Sequence, residues 1–556
     1  MKRLATILGL SMLAAFACGP SSTATSPEIS QSQLKETIPQ KGPAQQCEPG
    51  KEAWRGAGAP KRGGTLVRSV TPIGHLDNSK PMTSSGPGQG IPQVYQSLVE
   101  LRACYYEDLA MVPALAKSWQ VSPDGTTWTL KLQDQARWHN KPPLNGRAFT
   151  AADVAWTIDL QKKDGLLKPY WAGVEYQMPD PLTIVLKTKE PDADFLTKLG
   201  DFRNMIMPKE VFDQYGDYRT VAIGTGPFMV KDYRTDVEYI MEPNPAYFEK
   251  GVDGKPLPYV DSVKTIVLAD AAAEVAALRS GQVDHSKFNG VEKNDADALR
   301  QSNAKLRIYE QLVFSTISVW MDVTQKPFDN PQVRKAIQLA VNPEDMIGRY
   351  GGAAVRSGFV PAFLKDYAWA PEKLQTKFAQ NLPEAKKLMD ASGYRPSDER
   401  ITLKTAVIFQ QDAEVVAKQL EAIGIKTNIV VDAPNFSPVF SKGDWLLAVG
   451  SPGGVWFPTY WVSDLFQPGS APRFLKLNDP QLTSLGVAQA KEMDPAKRKQ
   501  TLDQIQDRLY ELMPYVPMVS RLYYHVASCR LQNMRQVVPS YNAPMVKEAW
   551  IDASSC

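Results

Sequence analysis

Residues 113–159 read PALAKSWQVSPDGTTWTLKLQDQARWHNKPPLNGRAFTAADVAWTID, and the fold class is decided in this stretch. Trp119 and Val121 alternate with polar neighbours before a Pro-Asp-Gly turn, and Trp128 and Leu130 alternate with polar neighbours after it. Alternation with a period of two, interrupted by turn-forming residues, is typical of paired strands. The pattern therefore predicts a β-hairpin with one buried face.

A helix is predicted directly after this hairpin. Thr150 and Asp153 have the spacing of a capping box, in which each side chain bonds to the backbone N–H of the other residue. Val154 and Ile158 lie one helical turn apart and would share a buried face. The local prediction is strand, turn, strand, loop and helix, which favours an α/β protein.

Three pieces of this stretch resemble the signature of the extracellular solute-binding proteins, family 5, which include the oligopeptide, dipeptide and nickel receptors of ABC importers. The pieces are P-x-L-A-x-S-W at 113–119, S-x-D-G-x-x-x-T-x-x-L at 122–132 and F-T-A-x-D-V at 149–154. Further similar pieces follow in the family's order: GTGPF at 224–228, NPAYF at 244–248, ALRSGQVD at 277–284 and LEAIGIK at 420–426. The resemblance implies an α/β, two-lobed periplasmic-binding-protein fold (type II, class C) with mixed sheets and a hinge.

The resemblance also implies a domain organisation. Residues 62–312 are expected to form lobe I, with an extra subdomain at about 91–215, and residues 313–514 to form lobe II. Residues 515–556 are expected to return to lobe I and end in a C-terminal tail, with the hinge crossings near 313–320 and 514–518. Two local expectations accompany this scheme: a short helix at 91–101, and a largely parallel sheet in lobe II built on a strand–helix–strand unit at 403–431.

The start of the chain is expected to be an export signal. Lys2 and Arg3 precede an apolar run at 4–17 that is too short to span a bilayer, and Ala17 precedes Cys18. A small residue before a cysteine resembles a bacterial lipoprotein signal, which makes 1–18 the signal and Cys18 a lipid anchor. The alternative is ordinary signal cleavage and a soluble secreted protein. Residues 19–61 are rich in Ser, Thr, Pro and Gln and are expected to be a flexible tether, so the expected location is extracytoplasmic, at the cell membrane.

The cysteine count is odd, which is unusual for a protein in an oxidising compartment. The five cysteines are Cys18, Cys47, Cys104, Cys529 and Cys556. Reserving Cys18 for lipid leaves four, which can form two disulfides. Pairing of Cys529 with Cys556 closes the shorter loop and leaves Cys47 for Cys104. Unpaired buried thiols remain the alternative.

Composition and motifs argue against nucleic-acid binding and against catalysis. Lys and Arg number 63 against 60 Asp and Glu, and no basic cluster is visible, so nucleic acid is not expected as a partner. There are only four histidines, and neither H-E-x-x-H nor G-x-S-x-G occurs. The glycines of GTGPF lack the lysine and the following helix of a phosphate-binding loop. We therefore expect no enzyme activity, no cofactor and no metal site.

The candidate binding site centres on residues 444–466, which read DWLLAVGSPGGVWFPTYWVSDLF. A buried strand leads into a glycine-rich turn and then a group of aromatic residues, and ligands of α/β sheets bind beyond the carboxyl ends of strands. The alternative is that these aromatic side chains are lobe core, which we expect for at least half of them. The candidate ligand-binding residues are His75, Trp320, Arg356, Ser451, Trp456, Phe457, Tyr460 and Trp461.

The resemblance predicts one fold but several classes of ligand. Peptide-binding members carry in this region an Asp that pairs with the peptide α-amino group, whereas residues 451–460 contain no acidic residue and Asp464 is the nearest later one. An oligopeptide, an oligosaccharide or a similar polar solute is expected, delivered by a monomer to ABC permease subunits. The alternatives are a sensory or chaperone-like binding protein without an importer and, less favoured, an exported hydrolase.

Overall fold

The computed structural model describes residues 59–80, 91–102, 110–165, 167–287, 290–313, 315–394, 400–454, 456–465, 475, 477–534 and 546–556, together with a strand at 29–30. The predictions for Cys18, Cys47 and Cys104 concern residues outside these ranges. Within the described residues, no helix combines the length and the apolar character needed to cross a membrane.

Within the described ranges, twenty strands form the sheets. In chain order they are β1 Ile29–Ser30, β2 Thr65–Val70, β3 Val99–Arg102, β4 Ala110–Pro113, β5 Ala116–Val121, β6 Thr127–Leu132, β7 Glu175–Asp180, β8 Thr183–Lys187, β9 Phe228–Arg234, β10 Glu238–Pro243, β11 Ser262–Val267, β12 Arg307–Leu312, β13 Ile317–Met321, β14 Ala354–Arg356, β15 Ile401–Ala406, β16 Thr427–Ala433, β17 Leu447–Gly450, β18 Tyr515–Ala527, β19 Leu531–Gln532 and β20 Trp550–Ile551.

The described α-helices pack around these sheets. They are α1 Ala151–Asp164, α2 Lys168–Trp171, α3 Phe195–Leu199, α4 Lys209–Tyr215, α5 Ala271–Ser280, α6 Lys293–Ser302, α7 Pro331–Ala340, α8 Pro343–Arg349, α9 Pro371–Lys377, α10 Leu382–Ala391, α11 Gln410–Glu421, α12 Phe436–Lys442, α13 Pro480–Lys491 and α14 Pro495–Leu512.

The hairpin and the capped helix are confirmed. β5 and β6 pair antiparallel with Trp119 opposite Leu130, and Trp119, Leu130 and Leu132 are buried. At the start of α1 the backbone N–H of Thr150 donates to the Asp153 carboxylate at 2.9 Å, and both bonds of the capping box are present. The alternating pattern and the capping residues therefore fold as their local chemistry predicts.

Three sheets carry the architecture. An antiparallel sheet has the order β1-β5-β6-β8-β7, and a mixed sheet has the order β2-β11-β10-β9 with β2 and β11 parallel. A third sheet has the order β12-β18-β13-β17-β15-β16, with β14 also paired to β18. Below, the first of these sheets with α1–α4 is called the small unit, the second is called the lobe I sheet and the third is called the lobe II sheet.

The expectation of a largely parallel sheet in lobe II is only partly correct. The strand–helix–strand unit is present, since β15 and β16 are parallel and α11 lies between them in sequence, and β15 is also parallel to β17. However, β13 pairs antiparallel with both β17 and β18. The sheet is therefore mixed. The sequence did not predict this, because the pattern of one buried strand does not reveal the direction of a neighbour that comes from a distant part of the chain.

The expected helix at 91–101 is wrong. Only Ile91–Gln93 forms a helical turn, and the chain then extends into β3, which pairs with β4. The backbone N–H of Ala116 donates to the carbonyl of Leu98 at 2.8 Å, so the segment bonds along the hairpin rather than within itself. The apolar spacing of Val94 and Leu98 reflects burial in an extended segment, not a helical face.

β18 connects the two large sheets. Its first half pairs with β13, where Ile317 lies opposite Val519, and its second half pairs with β12, where Tyr309 lies opposite His525. Isolated bridges from His285 to Arg68 and to Ala527 then link β18 to the lobe I sheet. A single continuous strand therefore passes from one large sheet to the other.

A disulfide and an ion pair hold the last residues of the chain close to the lobe I sheet. Cys529 and Cys556 form a disulfide with their Cα atoms 5.3 Å apart, as the shorter-loop argument predicts. The Lys61 ammonium donates to the Asp552 carboxylate at 2.6 Å, which joins the last residues to the chain just before β2.

Candidate functional site

The candidate site begins at the carboxyl end of β17. This strand ends at Gly450, which has a φ of +153°, and a Cβ built there would lie 2.4 Å from the ring of Phe436. Only glycine fits this close approach without displacing the ring. The chain then continues into the segment that contains Trp456 and Phe457 and into one wide helical turn, Tyr460–Asp464.

Two pairs of rings join this segment to the small unit. The ring of Trp456 lies 6.0 Å from that of Phe202, and the ring of Phe457 lies 5.8 Å from that of Tyr170, centroid to centroid. These distances are within the range of favourable aromatic contacts. We call these four residues the aromatic interface. The indole N–H of Trp456 is buried and has no hydrogen-bond acceptor among the described residues.

A buried ion pair lies beside the aromatic interface. The Asp194 carboxylate of the small unit meets the Arg498 guanidinium of α14 at 2.8 Å, and both side chains are at most 5% exposed. The hydroxyl of Thr459 donates to Asp194, and the amide oxygen of Gln489 accepts from Arg498 at 3.1 Å. A backbone bond from Ala193 N–H to the Ala490 carbonyl, at 2.8 Å, adds to the same contact.

Electrostatics fix the charge states of this pair. Burial would raise the pKa of Asp194, but Arg498 and Lys198 attract its charge and hold that pKa below the usual range. Burial also opposes the charge of Arg498, yet Asp194 raises its pKa. Both groups are therefore ionised in the folded protein.

A second carboxyl group nearby has the opposite shift. The pKa of Asp464 is raised to about 7. Burial is the largest cause, the charges of Asp194 and Asp192 add to it, and Lys198 acts in the opposite direction. Lys198 itself pairs with Asp192 at 2.7 Å and lies 5.6 Å from the ring centre of Phe457. The site therefore holds a titratable acid whose ionisation would change the charge beside the aromatic interface near neutral pH.

Trp320, a predicted ligand contact, lies within the lobe II sheet. It is fully buried, it stacks on Tyr515 with ring centres 4.4 Å apart, and its ring centre lies 4.6 Å from that of Phe440. Its indole N–H donates to the carbonyl of Gly450 at 2.8 Å. The side chain thus anchors the strand end from which the candidate site begins.

Arg356 and His75 make hydrogen bonds to residues that do not belong to the aromatic interface. Arg356, on β14, donates to the Glu344 carboxylate at 2.9 Å and to the carbonyl of Phe378 at 3.3 Å. The Nδ1 atom of half-buried His75 accepts from the backbone N–H of Asp77 at 3.2 Å.

The remaining predicted residues follow β17 directly. Ser451 is buried, and its hydroxyl has no partner within the described part of the chain. Half-buried Tyr460 contacts the buried ring of Trp461 edge-on, with centres 5.2 Å apart. Trp456 and Phe457 are therefore two candidates that the structure brings against rings of the small unit.

Residues that the sequence interpretation missed complete the site. Tyr170, Phe202 and Asp194 come from the small unit, about 250 to 300 positions before their partners. One signal was available: Arg498 shares the buried face of α14 with Leu502, Ile505 and Leu509, and a charged residue on an apolar face needs a partner.

A large open groove lies at the other end of the lobe II sheet. It has a volume of about 960 Å³ and is lined by residues that include Lys326, Arg400, Lys404 and Asp444. Arg400 lies just before β15 and Asp444 just before β17, whereas Gly450 lies at the carboxyl end of β17. Because ligands of α/β sheets bind beyond the carboxyl ends, we place the candidate site at the aromatic interface.

Comparison with known proteins shows the family of this chain. The family model for bacterial extracellular solute-binding proteins, family 5 (middle region), matches residues 110–472, which is more than half of the chain.

Two relatives align over most of their length. A Brucella ovis protein with the provisional name of ABC transporter peptide-binding protein is 29% identical over 84% of this chain and 88% of its own. The glutathione-binding protein GsiB of Salmonella paratyphi A is 24% identical over 74% of this chain and 81% of its own.

A solved structure shares the fold. The ABC transporter-associated periplasmic binding protein DppA of Helicobacter pylori, in complex with the peptide STSA, superimposes with a TM-score of 0.73 and 22% identity. The alignment covers 88% of this chain and 98% of that one. The fold is thus the two-lobed periplasmic-binding-protein fold with mixed sheets, and the chain belongs to the bacterial extracellular solute-binding proteins, family 5.

Proposed function

We propose that this solute-binding protein serves an ABC importer, and that the solute it captures is a peptide or a similar polar compound held at the aromatic interface. The observation that carries the proposal is the contact of Trp456 and Phe457 with Phe202 and Tyr170. Rings that meet between two parts of the chain distant in sequence provide apolar walls for a ligand, and the indole N–H of Trp456 provides a donor.

The relatives support a peptide-like solute. The Brucella protein is named as peptide-binding, the Salmonella protein as glutathione-binding, and the Helicobacter protein is bound to a peptide. Glutathione is itself a short peptide. Asp464 adds support, because a buried carboxyl group next to the interface offers a partner for a cationic group of the solute.

Hinge closure is the mechanism that we propose for capture. A solute that touches both the lobe II segment and the small unit stabilises only the state in which these parts are close together. β18, which the bridges of His285 link to the lobe I sheet, and the connection from β12 to β13 are the segments that would bend. In this mechanism Ser451, Tyr460 and Trp461, which follow β17, line the cleft beside the two interface residues, and Trp320 supports the end of that strand.

We propose further that the protein acts outside the cytoplasm as a monomer, anchored to the membrane through lipid on Cys18. The residues before and after Cys18 support this proposal. Each buried methylene contributes about 0.8 kcal/mol of membrane affinity, so several acyl chains hold firmly. If so, the protein expressed with its signal will stay with membranes in high salt, and Cys18→Ser will be released. Retention of Cys18→Ser on washed membranes would contradict the anchor.

Native mass spectrometry of the protein purified from its own host tests the solute class. A bound mass that fragments as a peptide or a peptide conjugate is expected, and it should be lost from Trp456→Ala purified in parallel. A sugar or another non-peptide compound bound by wild type would contradict the peptide class while leaving solute capture intact. Continued uptake of the identified solute in a deletion strain would contradict the importer role.

A further inference from the structure

A row of polar side chains crosses one face of the lobe I sheet. Arg68 on β2 lies opposite Thr265 on β11, which lies opposite Tyr239 on β10. On its other side Arg68 is bridged to His285, and His285 is bridged to Ala527. Because residues directly opposite each other in neighbouring strands point to the same face, these side chains share one face of the sheet.

The row continues through β18 and β12. His525 lies two residues from Ala527 and opposite Tyr309, and its ring stacks on that of Tyr309 with centres 5.3 Å apart. The ring of His285 stacks on that of His525 at 6.0 Å, and the hydroxyl of Tyr309 lies 2.6 Å from Nε2 of His285. Arg307 lies two residues before Tyr309, and therefore on the same face.

Two guanidinium groups thus flank a buried stack of His and Tyr rings. Arg68 is fully buried, and none of its three nitrogen atoms has a hydrogen-bond acceptor among the described residues. Arg307 donates to the carbonyl of Ser528 at 3.2 Å and approaches the amide oxygen of Gln532 at 3.5 Å. Both acceptors are neutral groups, so neither balances the charge of the guanidinium. Its Nε atom is buried without an acceptor in the described ranges.

The rings between the arginines carry no compensating charge. Nδ1 of His285 donates to the carbonyl of Ser286 at 2.8 Å, so Nε2 accepts from the Tyr309 hydroxyl. Burial lowers the pKa of His285 well below its usual value, and His525 and both arginines lower it further. Burial also lowers the pKa of His525, to about 3. The histidines are therefore neutral at physiological pH.

Two buried carboxylates near this row are already paired with other cationic side chains. Glu274 bonds the hydroxyl of Ser69 at 2.8 Å and pairs with Lys287 at 2.9 Å, and Ser69 points to the face opposite Arg68. Asp284 pairs with the guanidinium of Arg530. Neither carboxylate neutralises the two arginines of the row.

A guanidinium group does not lose its proton in a protein, so burial cannot neutralise Arg68 as it neutralises His285. An uncompensated buried charge is strongly unfavourable and is normally paired. We propose that the polar face of Arg68, Arg307, His285, His525 and Tyr309 binds a small inorganic anion, which accepts hydrogen bonds from the Arg68 guanidinium. By attracting the guanidinium groups of Arg68 and Arg307, the anion would hold β2 and β12 together. This site is separate from the aromatic interface.

Diffraction from wild-type crystals grown with bromide in place of chloride tests the site directly. Bromide scatters anomalously, so a bound ion is distinguished from water. The expected result is an anomalous peak within hydrogen-bond distance of the Arg68 guanidinium, and a second crystal grown in phosphate tests whether an oxyanion replaces the halide there. Water alone at Arg68 in both crystals, or bromide only at the protein surface, would overturn the proposal.

Thermal unfolding gives an independent test in solution. At constant ionic strength, the melting temperature of wild type should rise as chloride replaces gluconate, a much larger organic anion, because an anion that binds only the folded state stabilises that state. Arg68→Met keeps the aliphatic stem and should lose this dependence, whereas Arg279→Met, at an exposed position of α5 in the same lobe, should keep it. An equal response of all three proteins would overturn the proposal, and if Arg68→Met does not fold, the wild-type bromide result decides.

Discussion

Asp194 and Arg498 are 304 residues apart in sequence and meet at 2.8 Å, with their side chains 3% and 5% exposed. Thr459 and Gln489 supply further hydrogen bonds to the pair, so both charges are solvated by the protein instead of by water. The pair ties the small unit to α14 next to the aromatic interface. Opening of the two parts would expose both charges to water, so the pair links local electrostatics to hinge motion.

Removing one partner of this pair is expected to be costly. Arg498→Met leaves the Asp194 carboxylate buried without its counter-ion, which typically destabilises a protein by about 3–5 kcal/mol. Urea unfolding measures the change. Lys499→Met is the matched control, because Lys499 is partly exposed and pairs with Asp503 one turn along the same helix, a contact worth about 0.3–0.5 kcal/mol. Equal losses for the two variants would contradict a special role of the buried pair.

Asp464 is expected to make stability depend on pH. Burial raises its folded-state pKa to about 7, against about 3.9 in an unfolded chain, so the folded protein holds this proton more tightly. Its contribution to stability is therefore fully present below about pH 4 and is lost as the pH rises through about 7. The difference corresponds to at most about 4 kcal/mol.

Asp464→Asn removes the titration and keeps the shape of the side chain. Relative to wild type, the variant should gain stability between pH 5 and pH 8, as measured by urea unfolding at both pH values. An unchanged difference between the two proteins across this range would show that Asp464 does not titrate there. The same experiment with ligand would reveal whether a cationic solute replaces the proton.

The disulfide between Cys529 and Cys556 should stabilise the end of the chain. It closes a loop with a sequence separation of 27 residues, for which loop entropy predicts about 3–4 kcal/mol. The double variant Cys529→Ser/Cys556→Ser should lose up to this amount in urea unfolding and should match reduced wild type. Solute binding should be unchanged, because the loop belongs to the lobe I end of the molecule. A variant as stable as the oxidised wild type would contradict this assignment.

Local chemistry explains which parts of the fold were predictable from the sequence. The hairpin around Pro123 and the helix capped by Thr150 depend on neighbours within a few residues, and they fold as expected. The partner of Arg498 lies 304 residues away, so no local pattern identifies Asp194. The short helix expected at 91–101 failed for the same reason, since pairing with β4 overrides the apolar spacing of that segment.

The turn after β17 was predictable from the sequence, whereas the contacts of the aromatic residues that follow it were not. The glycines and aromatic residues after β17 indicated a turn at the carboxyl end of a strand, and the structure places that turn against the small unit. Which rings would meet Phe202 and Tyr170, and which would support the strand from within, depends on tertiary packing. Trp320 and Trp456 are both Trp residues near Gly450 in the fold, yet their contacts differ completely.

These two tryptophans provide the last test, because they separate support of the sheet from contact with a solute. Trp320 is fully buried and stacks on Tyr515 within the lobe II sheet, so Trp320→Ala should cost about 3–5 kcal/mol of unfolding free energy. Trp456 contacts Phe202 of the small unit, so its truncation should act mainly on the closed state and weaken solute binding by about 1–3 kcal/mol.

Thermal melting of both variants, with and without a pool of tripeptides, compares the two effects. Wild type and Trp320→Ala should show the same tripeptide-induced shift from different starting temperatures, whereas Trp456→Ala should start near wild type and shift little. Trp456 is itself only 3% exposed, so a large loss of stability in Trp456→Ala without tripeptides would show that core packing is its main role and would remove the main support for a binding site at the aromatic interface.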